Sequence, residues 1–201
     1  MARTFAIAAI VSAAGLATAQ TVDINILVDE PVLAPGDSTT VMLEVAFTTA
    51  DYAVAGVATD LLADTLPGSD ISGAWSDWQL VAPMSGPGTT AGLPDGLGSF
   101  TGILAGQLNF PPAGIYSDPS NPIAFWQATF TAPLDSGGFR VDLTTDTSRL
   151  DMYPSRDSSL SESRLDLVVE GEASLFLVPA PAGALVLGLG LAPFGRRRTR
   201  N

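Results

Sequence analysis

The chain has 201 residues, twenty-one of them acidic and nine basic; every basic residue is an arginine, and there is no histidine and no cysteine. That inventory excludes a Ser-His-Asp triad, a cysteine nucleophile, a disulfide framework and a His/Cys zinc site, and the missing lysine excludes a phosphate-loop lysine and a Schiff base. All the carboxylates lie between Asp23 and Glu172, twenty-one against four arginines for a net of −17, and an interior of that sign repels the phosphate backbone of nucleic acid.

Residues 1–19 read as a secretory signal peptide. Arg3 supplies a short positive start, residues 5–16 are an apolar run without a polar face, and Ala17-Thr18-Ala19 is a small-x-small cleavage site that leaves Gln20 as the mature N-terminus. The acidic interior then suits solubility in an extracellular medium. Without cysteine, the exported body must be held by its core alone.

Residues 20–177 have the length of one domain, and their pattern is that of strands. Val22, Ile24, Ile26 and Val28 share one parity while Asp23, Asn25 and Asp29 take the other. Ala34-Pro35-Gly36-Asp37 is a turn signal, after which Val41, Leu43, Val45 and Phe47 repeat the alternation, so the first two strands predict a hairpin or a sandwich corner. Further strands are predicted at 52–59, 98–110, 123–131, 138–145, 164–170 and 173–178, with Trp126, Ala128 and Phe130 on one face of the 123–131 strand. Residues 58–66, with Leu61 and Leu62, hint at a short helical turn, and residues 83–97 and 111–122 read as surface loops. Thirty-five Pro and Gly residues leave no room for long helices, so the predicted fold class is all-β, a single antiparallel sandwich.

The opening strand, the Ala34-Pro35-Gly36-Asp37 turn, and the late Phe125-Trp126-Gln127-Ala128-Thr129-Phe130 strand followed by Gly138-Phe139-Arg140-Val141 resemble the cohesin-like or immunoglobulin-like sandwich domains of bacterial surface proteins. The resemblance implies a fold and carries no function with it.

Residues 178–201 form a second address. Val178-Pro179-Ala180-Pro181 precedes an apolar stretch over 182–194, and Arg196, Arg197, Arg198 and Arg200 close the chain. A helix of that length spans about 20 Å, less than the roughly 30 Å hydrocarbon core, so it predicts a weak transmembrane anchor with its basic end on the cytoplasmic side. A proline motif, a short apolar helix and an arginine cluster on a chain with a signal peptide resemble the PEP-CTERM sorting signal, with Ala180 standing where the glutamate of that motif would be. The resemblance implies an exosortase-like processing enzyme as partner, contact with the membrane through the C-terminal helix, and delivery to the cell surface or extracellular matrix.

Three chemistries merit weighing within the body. Trp75 and Trp78 are candidate glycan contacts for an extracellular polysaccharide, although a spacing of three puts them on opposite faces of an extended strand, one in the core and one free. Asp142, Asp146, Asp151, Asp157, Glu162 and Asp166 lie in a polar stretch that repeats Ser-Arg-Leu-Asp at 148–151 and 163–166. Calcium needs six to eight converging oxygens, so these are the candidate ligands if any metal binds; the repeat fits equally two strand edges cross-paired through Arg149 to Asp166 or Arg164 to Asp151. A carboxylate-based glycoside hydrolase needs neither His nor Cys, but no acid is marked out by an apolar pocket. The resulting expectation is a non-enzymatic exported protein, structural or adhesive, without a cofactor; the alternatives are a carbohydrate-binding or calcium-dependent adhesion module and a carboxylate hydrolase.

Overall fold

The computed structural model describes residues 19–66, 71–134 and 138–179, and over them the chain is an all-β sandwich. In chain order the strands are β1 Val22–Val28, β2 Val32–Leu33, β3 Ser38–Phe47, β4 Ala53–Leu66, β5 Trp75–Leu80, β6 Thr90–Pro94, β7 Phe100–Gly106, β8 Ile123–Thr131, β9 Phe139–Tyr153, β10 Glu162–Ser163, β11 Val168–Val169 and β12 Glu172–Leu177. Two single-turn 3-10 helices, Ser72–Ala74 and Leu165–Leu167, interrupt them, and among the described residues no helix is long and apolar enough to cross a membrane. Ala17 with the rest of the expected signal peptide through residue 18, and the expected sorting tail from Ala180 onward with Pro181, Arg196, Arg197, Arg198 and Arg200, lie outside the described residues.

The smaller sheet has the order β11-β1-β3-β8-β5, and the larger has β2-β12-β9-β4-β7-β6 with β10 added beside β9. The first turn signal makes a corner. β1 and β3 pair antiparallel from Val22 opposite Phe47 to Val28 opposite Val41, while between them β2 steps over to the larger sheet and runs parallel to β12. Gly36 takes φ +87°, a conformation open to glycine, and the Asp37 carboxylate accepts the Ala34 N–H at 3.1 Å to hold the turn.

Strand alternation delivers the core. Val22, Ile24 and Ile26 of β1 and Val41, Leu43 and Val45 of β3 are buried, with Val141 and Leu143 of β9 facing them from the other sheet. In β8, Ile123 and Phe125 point inward and then Trp126, Ala128 and Phe130 do. The change of parity is made by a bulge opposite Leu43 and Glu44, which inserts one residue and buries two consecutive aromatics. Phe100 of β7 is the hub, with ring centroids 5.5 Å from Trp75, 5.0 Å from Trp126 and 5.6 Å from Trp78. Trp75 also meets Phe130 edge-on at 5.0 Å, and Trp126 Nε1 donates to the Ala91 carbonyl at 2.9 Å. In this cysteine-free body, interlocked aromatics supply the tie between sheets, each worth about 0.5–1.5 kcal/mol per ring pair beyond area burial.

Five expectations are corrected. Residues 58–66 are not helical; they complete the fourteen-residue strand β4, with Thr59, Leu61 and Thr65 inward and Asp60, Leu62 and Asp64 outward, because β9 offers a partner along the whole length. The loop expected at 83–97 contains edge strand β6, whose Gly92 lies so close to β7 that a Cβ there would meet the Thr101 carbonyl oxygen at 2.8 Å. The strand expected at 138–145 runs on to Tyr153, and the one expected at 98–110 covers only Phe100–Gly106. The strand expected at 164–170 is a 3-10 turn flanked by the two-residue strands β10 and β11.

The two ends of the sandwich differ. β12 finishes beside Leu33 and Phe139, with the Val178 N–H donating to the Leu33 carbonyl at 2.9 Å and Pro179 packed against Gly138, so the tail departs there. At the far end of β4 and β9, Asn109 ties two loops together. It donates to the carbonyls of Arg156 and Ser158 at 2.8 and 2.7 Å and accepts the Ser117 N–H at 3.0 Å.

Candidate interaction surface

The outer face of the larger sheet is built by the residues of β4, β9 and β12 that alternate with the core. Register places Asp60 opposite Asp146, Leu62 opposite Thr144 and Asp64 opposite Asp142. On the other side of β9, Glu172 stands opposite Thr144, Ser174 opposite Asp142 and Phe176 opposite Arg140, and Phe176 in turn pairs with Val32. The result is a face whose centre is five carboxylates, Asp60, Asp64, Asp142, Asp146 and Glu172, and whose tail-side margin is apolar, with Val32 and Phe176 about half exposed. Leu62 adds an exposed aliphatic side chain among the acids.

The compensation on this face is partial. Arg140 pairs with Asp142, and the Ser174 hydroxyl donates to Asp142 Oδ1 at 2.6 Å; these two contacts, the hydroxyl first, hold the Asp142 carboxyl below the usual range and keep it charged opposite Asp64. Asp60 accepts the Gly102 N–H at 2.7 Å. Both facing strands carry the same Asp-Leu-x-x-Asp pattern, Asp60-Leu61-Leu62-Ala63-Asp64 and Asp142-Leu143-Thr144-Thr145-Asp146, so the antiparallel register brings acid against acid twice. Sequence reasoning missed this surface. The Asp-Leu-x-x-Asp duplication was a readable signal, but its meaning depends on which strands become neighbours.

The predicted site residues fall in several places. Trp75 and Trp78 do not take opposite faces. Asp77 adopts φ +55° in a bulge between Ser76 and Gln79, and the extra residue turns both indoles toward Phe100. Trp75 is 6% exposed and Trp78 37%, so one indole is core and the other partly free, as expected, and the pair forms no open stacking platform. Among the described residues no group of three or more His, Cys, Asp or Glu side chains converges as a metal site, and Asp142, Asp146, Asp151, Asp157, Glu162 and Asp166 are spread along the strand and loops.

The two Ser-Arg-Leu-Asp segments meet edge to edge, with Ser163 opposite Asp151 and the Arg164 N–H donating to the Leu150 carbonyl at 2.9 Å, but their arginines do not cross-pair with the aspartates. Arg149 bonds Asp151 within β9, on the same face two residues away. Arg164 instead reaches the loop before β4 and clamps Asp51, Nε to Oδ2 at 2.9 Å and Nη2 to Oδ1 at 2.8 Å, while also meeting Glu162 at 2.9 Å. Burial alone would raise the Asp51 carboxyl; the Arg164 and Thr49 hydrogen bonds outweigh it and hold the group below its usual range. Ala19 and Gln20 lie exposed before β1, and Val178 and Pro179 follow β12 as the last described residues.

With this geometry in hand, comparison with solved structures identifies the architecture. The seventh ScaB type I cohesin from Pseudobacteroides cellulosolvens superposes with a TM-score of 0.50 at 15% identity, covering 81% of this chain and 96% of that one. The body has a cohesin-like fold. Two other neighbours are the cohesin module of a family 33 glycoside hydrolase from Clostridium perfringens, with TM-score 0.46, 9% identity and coverage of 81% and 99%, and the cohesin of a type I cohesin–dockerin complex from Clostridium thermocellum, with TM-score 0.46, 13% identity and coverage of 79% and 99%. No protein family and no curated protein matches the chain.

Proposed function

We propose that the chain is an exported component of the cell surface or extracellular matrix, structural or adhesive in role, that docks a basic partner on the outer face of its larger sheet. The observation that carries this reading is the double match of like charges, Asp60 across from Asp146 and Asp64 across from Asp142. Like charges directly opposite on neighbouring strands destabilise a sheet, and a surface that keeps them is one whose second use outweighs the cost. A cationic partner would neutralise them, while Val32, Phe176 and Leu62 would provide apolar contact area.

The cohesin-like fold and a composition without His, Cys or Lys support a binding module without catalytic activity. Delivery follows from the two ends: a cleaved leader through Ala19, and a tail that resembles the PEP-CTERM signal, with an exosortase-like enzyme as its processing partner and the membrane as its transient or permanent anchor. The test is fractionation of the host expressing the full chain, either parental or with Asp60, Asp64, Asp142 and Asp146 all changed to Asn. Parental protein is expected in a complex with its partner that salt dissociates, and the fourfold variant free of that complex, in whichever fraction the tail delivers either one to. Equal recovery of the two in the complex, at every salt concentration, would remove the acidic face from the function.

A further inference from the structure

Thr21 is pinned at the start of β1. Its N–H donates to Thr48 Oγ1 at 2.9 Å, and its carbonyl accepts the Thr48 N–H at 3.0 Å. The preceding residue, Gln20, is thereby held within one residue of a fixed point, where it forms part of the wall of a cavity of about 410 Å³ shared with Thr49, Asp51, Pro154, Arg164 and Asp166. This cavity lies at the end of the sandwich opposite the departing tail.

Three charged groups line it. Asp51, 5% exposed, and Arg164 are engaged with each other, and Glu162 outside the cavity takes a further Arg164 contact. Asp166, in the 3-10 turn Leu165–Leu167, is exposed and has no hydrogen bond or ion pair among the described residues. The lining therefore carries two negative charges against one positive.

Composition supplies the missing cation. The chain has no lysine, so hydrolysis of the Ala19–Gln20 peptide bond, which leaves a carboxylate on Ala19 and an ammonium on Gln20, creates the only amine in the mature protein. In the uncleaved chain the same nitrogen is a neutral amide. We infer that the Gln20 ammonium produced by leader removal is received in this cavity and pairs with Asp166, tying the start of β1 to the 164–167 turn only after export. The inference rests on the reading of residues 1–19 as a cleaved leader. It makes maturation a stabilising event at the edge where β1 pairs with β11, Val22 opposite Val168.

The absence of lysine also makes the experiment selective, because amine reagents have one target. N-terminal sequencing of the exported full chain comes first; a start other than residue 20 overturns the leader reading and with it this contact. Protein exported with Gln20→Ala, which prevents cyclisation of the terminal residue, is then labelled by reductive ¹³C-methylation, and its single resonance is titrated with and without Asp166→Asn. The expected result is an amine pKa at least about half a unit above the usual ~7.7–8.0, returning to that range in the Asp166→Asn protein. At pH 6, Asp166→Asn should lower the melting midpoint by ~1–3 °C, and the difference should vanish once the amine is acetylated. An amine that titrates in the usual range in both proteins, or an Asp166→Asn effect that survives acetylation, overturns the contact while leaving the leader reading intact.

Discussion

Asp146 of β9 stands directly across from Asp60 of β4, both on the outer face of the larger sheet, and the Gly102 N–H on Asp60 is the hydrogen bond that relieves the pair. Opposed carboxylates of this kind repel, so the isolated protein is expected to gain stability when one is neutralised. Asp146→Asn should raise the unfolding free energy by about 0.2–1 kcal/mol in denaturant titrations. The gain should shrink as salt is raised from tens of millimolar to molar, since these carboxylates are solvent-screened. The same substitution should weaken the salt-sensitive complex, which separates a docking surface from a merely unfavourable one.

Arg164 and Asp51 carry the opposite sign of effect. Arg164→Ala leaves a nearly buried carboxylate facing Thr49 alone, and a loss of about 3 kcal/mol is expected in chemical denaturation. Arg164→Lys should recover only part of it, because an ammonium cannot reproduce the two-pronged contact. The Asp51 carboxyl is held below its ordinary range in the folded protein, so its contribution is complete above the unfolded-state value near 4 and is lost as pH falls through the lower folded value. The midpoint of parental protein should therefore fall as pH drops below about 4, and the Asp51→Asn protein should show a smaller acid loss.

Phe100 touches Trp75, Trp78 and Trp126, and among the described residues no other ring joins three indoles. Phe100→Ala should cost about 3–5 kcal/mol and shift the tryptophan emission to the red as water reaches the indoles. Trp78→Ala, at the margin of the same cluster, should cost markedly less, and retention of the protein on extracellular polysaccharide should not change. A loss of that retention by Trp78→Ala with the fold intact would restore a sugar-binding role for this edge.

Gly171 precedes β12 where the chain passes β1, and a Cβ there would lie 2.2 Å from the Ile24 carbonyl oxygen. That oxygen belongs to a strand held along its whole length against β3, which limits its retreat, so Gly171→Ala should separate β1 from the β12 approach and cost about 1–3 kcal/mol. Gly73→Ala, where no atom lies within 4 Å of the added Cβ, is the matched control and should be near neutral.

Much of the fold was legible because its signals are local. The alternation of β1 and β3, the Ala34-Pro35-Gly36-Asp37 corner and the boundaries of β8 follow from side-chain parity and turn chemistry, which need no knowledge of partners. What failed, failed for want of a partner. Leu61-Leu62 looked like a helical turn until β9 supplied a neighbour along all of β4, and β6 was hidden by Gly92 and Pro94, which are acceptable in a strand only at an edge. The two tryptophans were assigned opposite faces because a bulge at Asp77 cannot be read from spacing.

The sequence by itself determined the sign of the body and the chemistry it cannot perform: an acidic interior, and no His, Cys or Lys. Those are properties of composition and order along the chain. Only the tertiary structure decided where the charges act, since it is the antiparallel register of β4 and β9 that sets Asp60 against Asp146, and the packing of two distant loops that gives Arg164 to Asp51 rather than to Asp151. Charges interact by distance in space, and for residues more than eighty positions apart that distance is a consequence of the fold alone.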